Sequence, residues 1–148
     1  MNKLNLKIIT PRKLALENDI IKITVPTVSG EITILPHHEN LFSLLIEGVV
    51  KFTTVDDEEE YLAIGGGYLE TDGTVVELLV TKAYGQDEID KGKTEDAIAE
   101  ARRDIKQSRD KEQIREATAN LRKSMVDMKL LKKKAPKSFT DTSESPDN

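Results

Sequence analysis

Apolar and polar residues alternate along the first eighty or so positions of the chain and then abruptly cease to. Leu4, Leu6 and Ile8 are separated by Asn5 and Lys7, the period-two signature of a half-buried strand. Thr10-Pro11 interrupts it. Ile21, Ile23 and Val25 alternate with Lys22 and Thr24 and predict a second strand that stops at Pro26. Ile32 and Ile34 flank Thr33 and predict a third, ending at Pro36. Val50, Phe52 and Thr54 against Val49, Lys51 and Thr53 continue the pattern, and residues 61–64, 68–71 and 75–80 supply further strands. Asp72-Gly73 between the last two marks a hairpin, because both residues tolerate positive φ. Residues 75–80 are almost continuously apolar, as expected of a strand covered on both faces. Short strands at this spacing predict an antiparallel β-sandwich or flattened barrel of about 8–10 strands. With so few aromatic residues, its core would rest on Ile, Val and Leu.

After Gly85 the period changes from two to 3.6. On one helical face lie Ile114, Ala117, Leu121, Met125, Met128 and Leu131, within a stripe of roughly 120°. Upstream, Ala97, Ile98, Ala101 and Ile105 span roughly 100°. These residues predict two amphipathic helices, and a stripe this thin packs one partner. Asp87, Asp90 and Thr94 are alternative N-caps for the first helix, with Gly92 costing about 1 kcal/mol in a helix interior. Asp110 followed by Gln113 resembles a capping box, so the turn falls near Ser108 and the pair folds as an antiparallel hairpin. Lys132-Lys133-Lys134 suits the negative end of the second helix dipole, and Pro136 stops it. The expected organisation is a β-sandwich domain over 1–86, a helical hairpin over 87–134 and a disordered acidic tail over 135–148.

Charge sharpens this division. Residues 1–86 carry a net charge of −6, residues 87–134 +3 and residues 135–148 −2. An acidic body with a basic arm argues against non-specific nucleic-acid binding. The arm instead suits an acidic surface. There is no cysteine, hence no disulfide framework and no thiolate metal site. No apolar run approaches the ~18 residues of a membrane span, and the first residues lack the layout of a signal or transit peptide. The expectation is a soluble, intracellular protein that meets a membrane only through something attached to one.

Candidate chemistry is sparse. Gly65-Gly66-Gly67 lacks the lysine and following helix of a phosphate loop and reads better as a close backbone approach. His37-His38-Glu39 offers adjacent side chains that point to opposite faces of an extended chain, with no further histidine or cysteine to complete a metal site. Ser43 near His38 has no recognisable orienting acid. The carboxylates at 56–60 lack EF-hand spacing and read as a solvated hairpin tip. The residues therefore point to a non-catalytic binding or regulatory subunit. A generic helical-hairpin adaptor and a free-standing β-domain enzyme or ligand-binding module are the alternatives.

The run from Val25 through Gly30-Glu31, the short strand Ile32-Thr33-Ile34, Pro36-His37-His38 and Leu41 to Gly48 resembles the signature of the epsilon subunit of F-type ATP synthases. Gly65-Gly66-Gly67-Tyr68-Leu69-Glu70 is similar to that family's Gly-Gly-aromatic-x-Glu strand, and Val80-Thr81-Lys82-Ala83 with Glu88-Ile89-Asp90 resembles the run into its helices. Order and spacing agree over roughly residues 1–132. The resemblance implies a non-catalytic rotor subunit of the central stalk, bound to gamma with its β-domain against the c ring, helping to couple ion transport to ATP synthesis. It implies a peripheral position on the cytoplasmic face of a bacterial membrane. It also implies a hairpin that either folds on the β-domain or extends into the alpha/beta catalytic head, inhibiting ATP hydrolysis.

Residue by residue, the resemblance assigns Glu31 and His38 to the c-ring contact, with His37 standing where the family shows glycine. Arg115, Arg122, Lys123 and Lys129 become the basic face of the inhibitory helix, suited to an acidic loop of the beta subunit. Ile98, Ala101, Ile105, Ile114, Leu121, Met125 and Met128 become the hairpin packing. Some bacterial members bind ATP at the hairpin through Ile-Asp-x-x-Arg-Ala. Here Asp90 is kept, but Lys93 replaces the arginine, and Lys123 and Asp127 stand where two further arginines are sought. Weak or absent ATP binding is expected, with no cofactor.

Overall fold

The computed structural model describes residues 2–135. The expected tail thus lies outside the described residues, apart from Ala135. Nine strands come first: β1 (Leu4–Ile9), β2 (Leu14–Thr27), β3 (Gly30–Ile34), β4 (Leu41–Leu45), β5 (Gly48–Thr54), β6 (Glu59–Ile64), β7 (Gly67–Thr71), β8 (Val75–Val80) and β9 (Ala83–Tyr84). A single 3-10 turn, Gln86–Glu88, leads to α1 (Lys91–Gln107) and α2 (Lys111–Leu131).

Two layers arise because β2 serves both. Its first half pairs antiparallel with β1, from Leu14 opposite Ile9 to Ile20 opposite Leu4. Its second half pairs with β5 and β3. Between the halves the β5 register slips, from Ile20 opposite Thr54 to Lys22 opposite Thr53. The extra residue, Ile21, is a β-bulge that bends the strand from one layer into the other. This alters the expected pattern: Ile20, not Ile21, is fully buried, in phase with Ile23 and Val25 only through the bulge. Nor does β2 stop at Pro26. The ladder to β5 ends at Thr24 opposite Lys51, so Pro26 lies beyond it, paired with Glu31 of β3.

The first layer runs from β2 through β1, β8 and β7 to β4, with β1 and β8 parallel. The second runs from β3 through β2, β5 and β6 to β9. Fifteen buried apolar side chains fill the space between, Phe52 the largest and the others all Leu, Ile or Val. Strict alternation delivers them: in β1, Leu4, Leu6 and Ile8 are inside while Asn5 and Lys7 are not. β8 departs from expectation. Val76, Leu78 and Val80 are buried, but Val75, Glu77 and Leu79 are only half-buried, so its apolar run reflects a second, open face. The acid-rich tip also differs in one residue. Asp56, Asp57 and Glu59 are exposed, whereas Glu60, opposite Phe52, is turned inward and buried.

The glycine run packs as expected. Gly65 donates to the Lys82 carbonyl at 3.0 Å, and a side chain at Gly67 would collide with the Leu79 carbonyl. At the opposite end of the sandwich, the loop after β3 leans on the β7–β8 turn. The His37 amide donates to Gly73 O at 2.8 Å, and a Cβ on Gly73 would come within 2.5 Å of His38 O. Asp72 holds this turn by accepting from the Thr74 and Val75 amides at 2.8 and 2.9 Å, bonds that lower its pKa. His37 itself sits at φ +67°, in the left-handed region that glycine reaches without strain. His37→Gly should therefore be better tolerated than His37→Ala, with about 1 kcal/mol between the two variants in urea unfolding.

Candidate functional site

The helical hairpin begins and turns on side-chain caps. Of the three candidate starts, Asp90 is the one used: its Oδ1 accepts from the Lys93 amide at 2.9 Å, while Thr94 bonds back to the Asp90 carbonyl at 2.8 Å. Gly92 falls in the first turn, where its cost is least. Asp110 caps α2 by accepting from the Glu112 amide at 3.1 Å. Gln113 does not complete a capping box. It accepts from Ser108 Oγ at 2.8 Å, and that oxygen accepts in turn from the Asp110 amide, which fixes the tight turn between the helices. Ala101 and Ala117 are buried where α1 and α2 meet.

Only α2 touches the sandwich extensively, on the outer face of β5 and β6. The contact is small. Leu130, 0% exposed, sits on Val49 and Ala63, flanked by half-buried Tyr61, Tyr84, Ile89 and Val126. Around it the contacts are polar. β9 pairs Tyr84 with Ala63, which directs the phenol toward α2, where its hydroxyl donates to Asp127. Asp127 is 5% exposed and also accepts from Lys123 Nζ at 3.2 Å. Burial, then the hydrogen bond to Asp127, raises the Tyr84 pKa, so the phenol stays a donor at physiological pH. Gln86 Nε2 donates to the carbonyls of Leu130 and Lys133, each at 2.7 Å, adding side-chain bonds at the end of α2. Lys134 approaches Glu58 at 3.8 Å.

Among the described residues, nothing covers the opposite face of the sandwich. Register places Leu44 beside Tyr68, Tyr68 beside Leu79, Leu79 beside Ile9 and Ile9 beside Leu14. This forms an apolar row across five strands. Leu44 is 54% and Leu14 50% exposed, and Phe42, 57% exposed, stacks its ring 5.1 Å from that of Tyr68. The next row carries Glu70, Glu77, Lys7 and Glu17. Surface of this kind marks an interaction site.

Residues 3–86 match the family described as ATP synthase, delta/epsilon chain, beta-sandwich domain. The ATP synthase epsilon chain of Carboxydothermus hydrogenoformans is 34% identical over 101 residues, covering 68% of this chain and 75% of that one. That of Neisseria meningitidis is 30% identical over 132 residues, covering 88% and 94%. The chain belongs to the ATP synthase epsilon-chain family. Its fold resembles a chain of the Euglena gracilis mitochondrial ATP synthase (OSCP/F1/c-ring) at a TM-score of 0.68 and 22% identity, covering 96% of this chain and 82% of that one. It also resembles one of the Tetrahymena thermophila mitochondrial ATP synthase central stalk and c ring, at 0.57 and 17%, covering 87% and 96%.

Within this family framework, the residues expected to act distribute unevenly. Glu31 is exposed on β3 near the Val28-Ser29 turn. His38 lies past the other end of that strand beside Gly73, with Nδ1 2.8 Å from the Glu39 carbonyl. The structure does not bring the two together. Among the packing residues, Ala101 is buried, but Ile98, Ile105, Ile114, Leu121 and Met128 are only half-buried and Met125 is 50% exposed. The buried positions of α2 are Ala117, Ser124, Asp127 and Leu130, of which Asp127 and Leu130 are displaced around the helix from the apolar stripe. Ile98, Met125 and Met128 instead line an open groove of about 600 Å³ with Arg102, Arg122 and Lys129. Arg115 pairs with Glu112 at 2.7 Å, and Lys123 with Asp127.

Tyr84 and Gln86 carry no signal of this role in the sequence, where Asp127 reads only as standing in place of a sought arginine. A carboxylate recurring at helical spacing with Leu130 and Ser124 was the available signal. Asp90, assigned to nucleotide, is spent as an N-cap. Asp90→Ala should cost the hairpin about 1 kcal/mol, seen as a lower thermal midpoint at 222 nm, while Asp90→Asn should keep most of it.

Proposed function

We propose that this chain is the central-stalk subunit of an F-type ATP synthase, non-catalytic, linking gamma to the c ring and restraining ATP hydrolysis through its hairpin. Family membership favours this reading over an unrelated adaptor or a free-standing β-domain. The observation that carries it is the apolar row of Leu44, Tyr68, Leu79, Ile9 and Leu14, on the face opposite the docked hairpin. An exposed apolar row across five strands suits a docking face, and gamma is its partner. The neighbouring acidic row asks for cations on that partner.

The end of the sandwich bearing Glu31, with exposed Val28 and Ile46 around it, is offered to the polar loops of the c ring. Only one of the two expected contacts lies at this end, since His38 is at the other. The hairpin's groove, apolar along Met125 and Met128 and rimmed by Arg102, Arg122 and Lys129, suits an acidic segment of the catalytic head once the hairpin extends. In this reading the chain meets the cytoplasmic face of a bacterial membrane through the complex; among its described residues no helix is long and apolar enough to cross a membrane. ATP has no regulatory place in this scheme.

Two measurements test the reading. Leu44→Asp should leave the isolated chain folded but weaken its co-purification with gamma at least about tenfold, by forcing a charge into the apolar row. Removing residues 86–148 in the assembled enzyme should raise the rate of ATP hydrolysis and leave gamma binding intact. An unchanged rate under every nucleotide condition would leave the subunit with a coupling role alone.

A further inference from the structure

Asp127 is an anomaly for its position. It is a carboxylate 5% exposed, in the last turns of α2, where the helix dipole disfavours negative charge. Burying a charge is costly unless partners offset it. Its partners come from both sides of the seam: the Tyr84 hydroxyl from β9, and the Lys123 ammonium from its own helix. Lys123 also lies 5.9 Å from the centre of the Tyr84 ring, with Lys82 at 5.8 Å. The carboxylate thus closes a small basic, aromatic site that the sandwich and α2 form jointly. By contrast, apolar contact at this seam rests on one large fully buried side chain, Leu130, set on Val49 and Ala63.

We infer that Tyr84 and Asp127 form a built-in latch, in which a side-chain carboxylate of the hairpin itself sets how readily the hairpin leaves the sandwich. The inference rests on the reading of the hairpin as a switch. Its physical logic is reversibility. A greasy seam of the same strength would expose apolar surface on release and penalise the open state. Asp127 regains water when the hairpin leaves, and of the fully buried apolar side chains that separate only Leu130 is large, the rest of the seam being Val49, Ala63 and half-buried Tyr61, Tyr84, Ile89 and Val126. The two states are thereby kept close in energy while the closed one stays specific. Gln86 adds a second grip, holding the last carbonyls of α2 from the sandwich side.

The chain has no cysteine, so a single introduced thiol reports opening without background. In the full-length isolated protein, Val49→Cys puts that thiol beneath Leu130, and Val50→Cys puts one in the sandwich core as a control. The readout is the labelling rate by an aromatic disulfide reagent. Tyr84→Phe keeps the ring and removes the donor, and should speed labelling at position 49 roughly ten- to a hundredfold, with position 50 unchanged. Asp127→Asn, which keeps an acceptor but loses the charge, should give a smaller rise. The double variant should speed labelling by less than the product of the two single effects.

Labelling at position 49 that neither variant accelerates would overturn the latch. So would a rise matched at position 50, which means global loosening. If the variants open the hairpin while hydrolysis by the assembled enzyme stays unchanged, the latch stands and the inhibitory reading of the hairpin fails.

Discussion

Everything in the sandwich depends on β2 being shared by two layers. A strand of 14 residues bends at the Ile21 bulge, so its first half completes one sheet and its second half nucleates the other. The bend brings Leu4, Leu6 and Ile8 over Ile23, Val50 and Phe52 in a single core. It also sets the outside. With the inner faces of β4, β7 and β8 committed to that core, their outer residues line up in register, and the row from Leu44 to Leu14 is left facing solvent. The docking face is thus a by-product of closing the sandwich, and it stays rigid because the ladder behind it is rigid.

The hairpin is attached by different physics. Fifteen buried apolar side chains hold the sandwich, whereas one fully buried leucine and a few polar contacts hold α2 to it. A buried leucine is worth about 2 kcal/mol, a small fraction of what the sandwich core contributes. The hairpin can therefore detach without disturbing the body, a division of stability that suits a subunit with one fixed and one movable partner. The same economy explains why the apolar stripe of α2 does not point at the sandwich. Met125 and Met128 remain in an open cation-rimmed groove, available to a second surface, while the buried line of the helix is Ala117, Ser124, Asp127 and Leu130.

Most of the architecture was legible from local pattern. Alternation located seven of the nine strands, because an antiparallel sheet with one wet face writes its orientation into every second residue. The hairpin turn at Asp72-Gly73 and the cap at Asp110 were likewise local. What was missed has non-local causes. β4 hides in the apolar run 41–46, where core-facing Leu45 and solvent-facing Leu44 look alike. The first half of β2 carries charges because its outer face is open. The two-sided burial expected of β8 was wrong for the same reason: a side chain that awaits a partner subunit reads like one already covered.

By itself, then, the sequence determined the element types, the order of sandwich and hairpin and the separation of charge between them, all consequences of short-range periodicity and spacing, while the epsilon family entered through its likeness to other chains. Tertiary structure alone decided that Glu31 and His38 stand at opposite ends of the sandwich and that five strands align one apolar row. It alone decided that a carboxylate on α2, in the vicinity of a lysine and a tyrosine 43 positions away, sits buried at the seam. Such facts depend on register between distant strands and on the rotation of a helix about its axis, and no local pattern encodes either one.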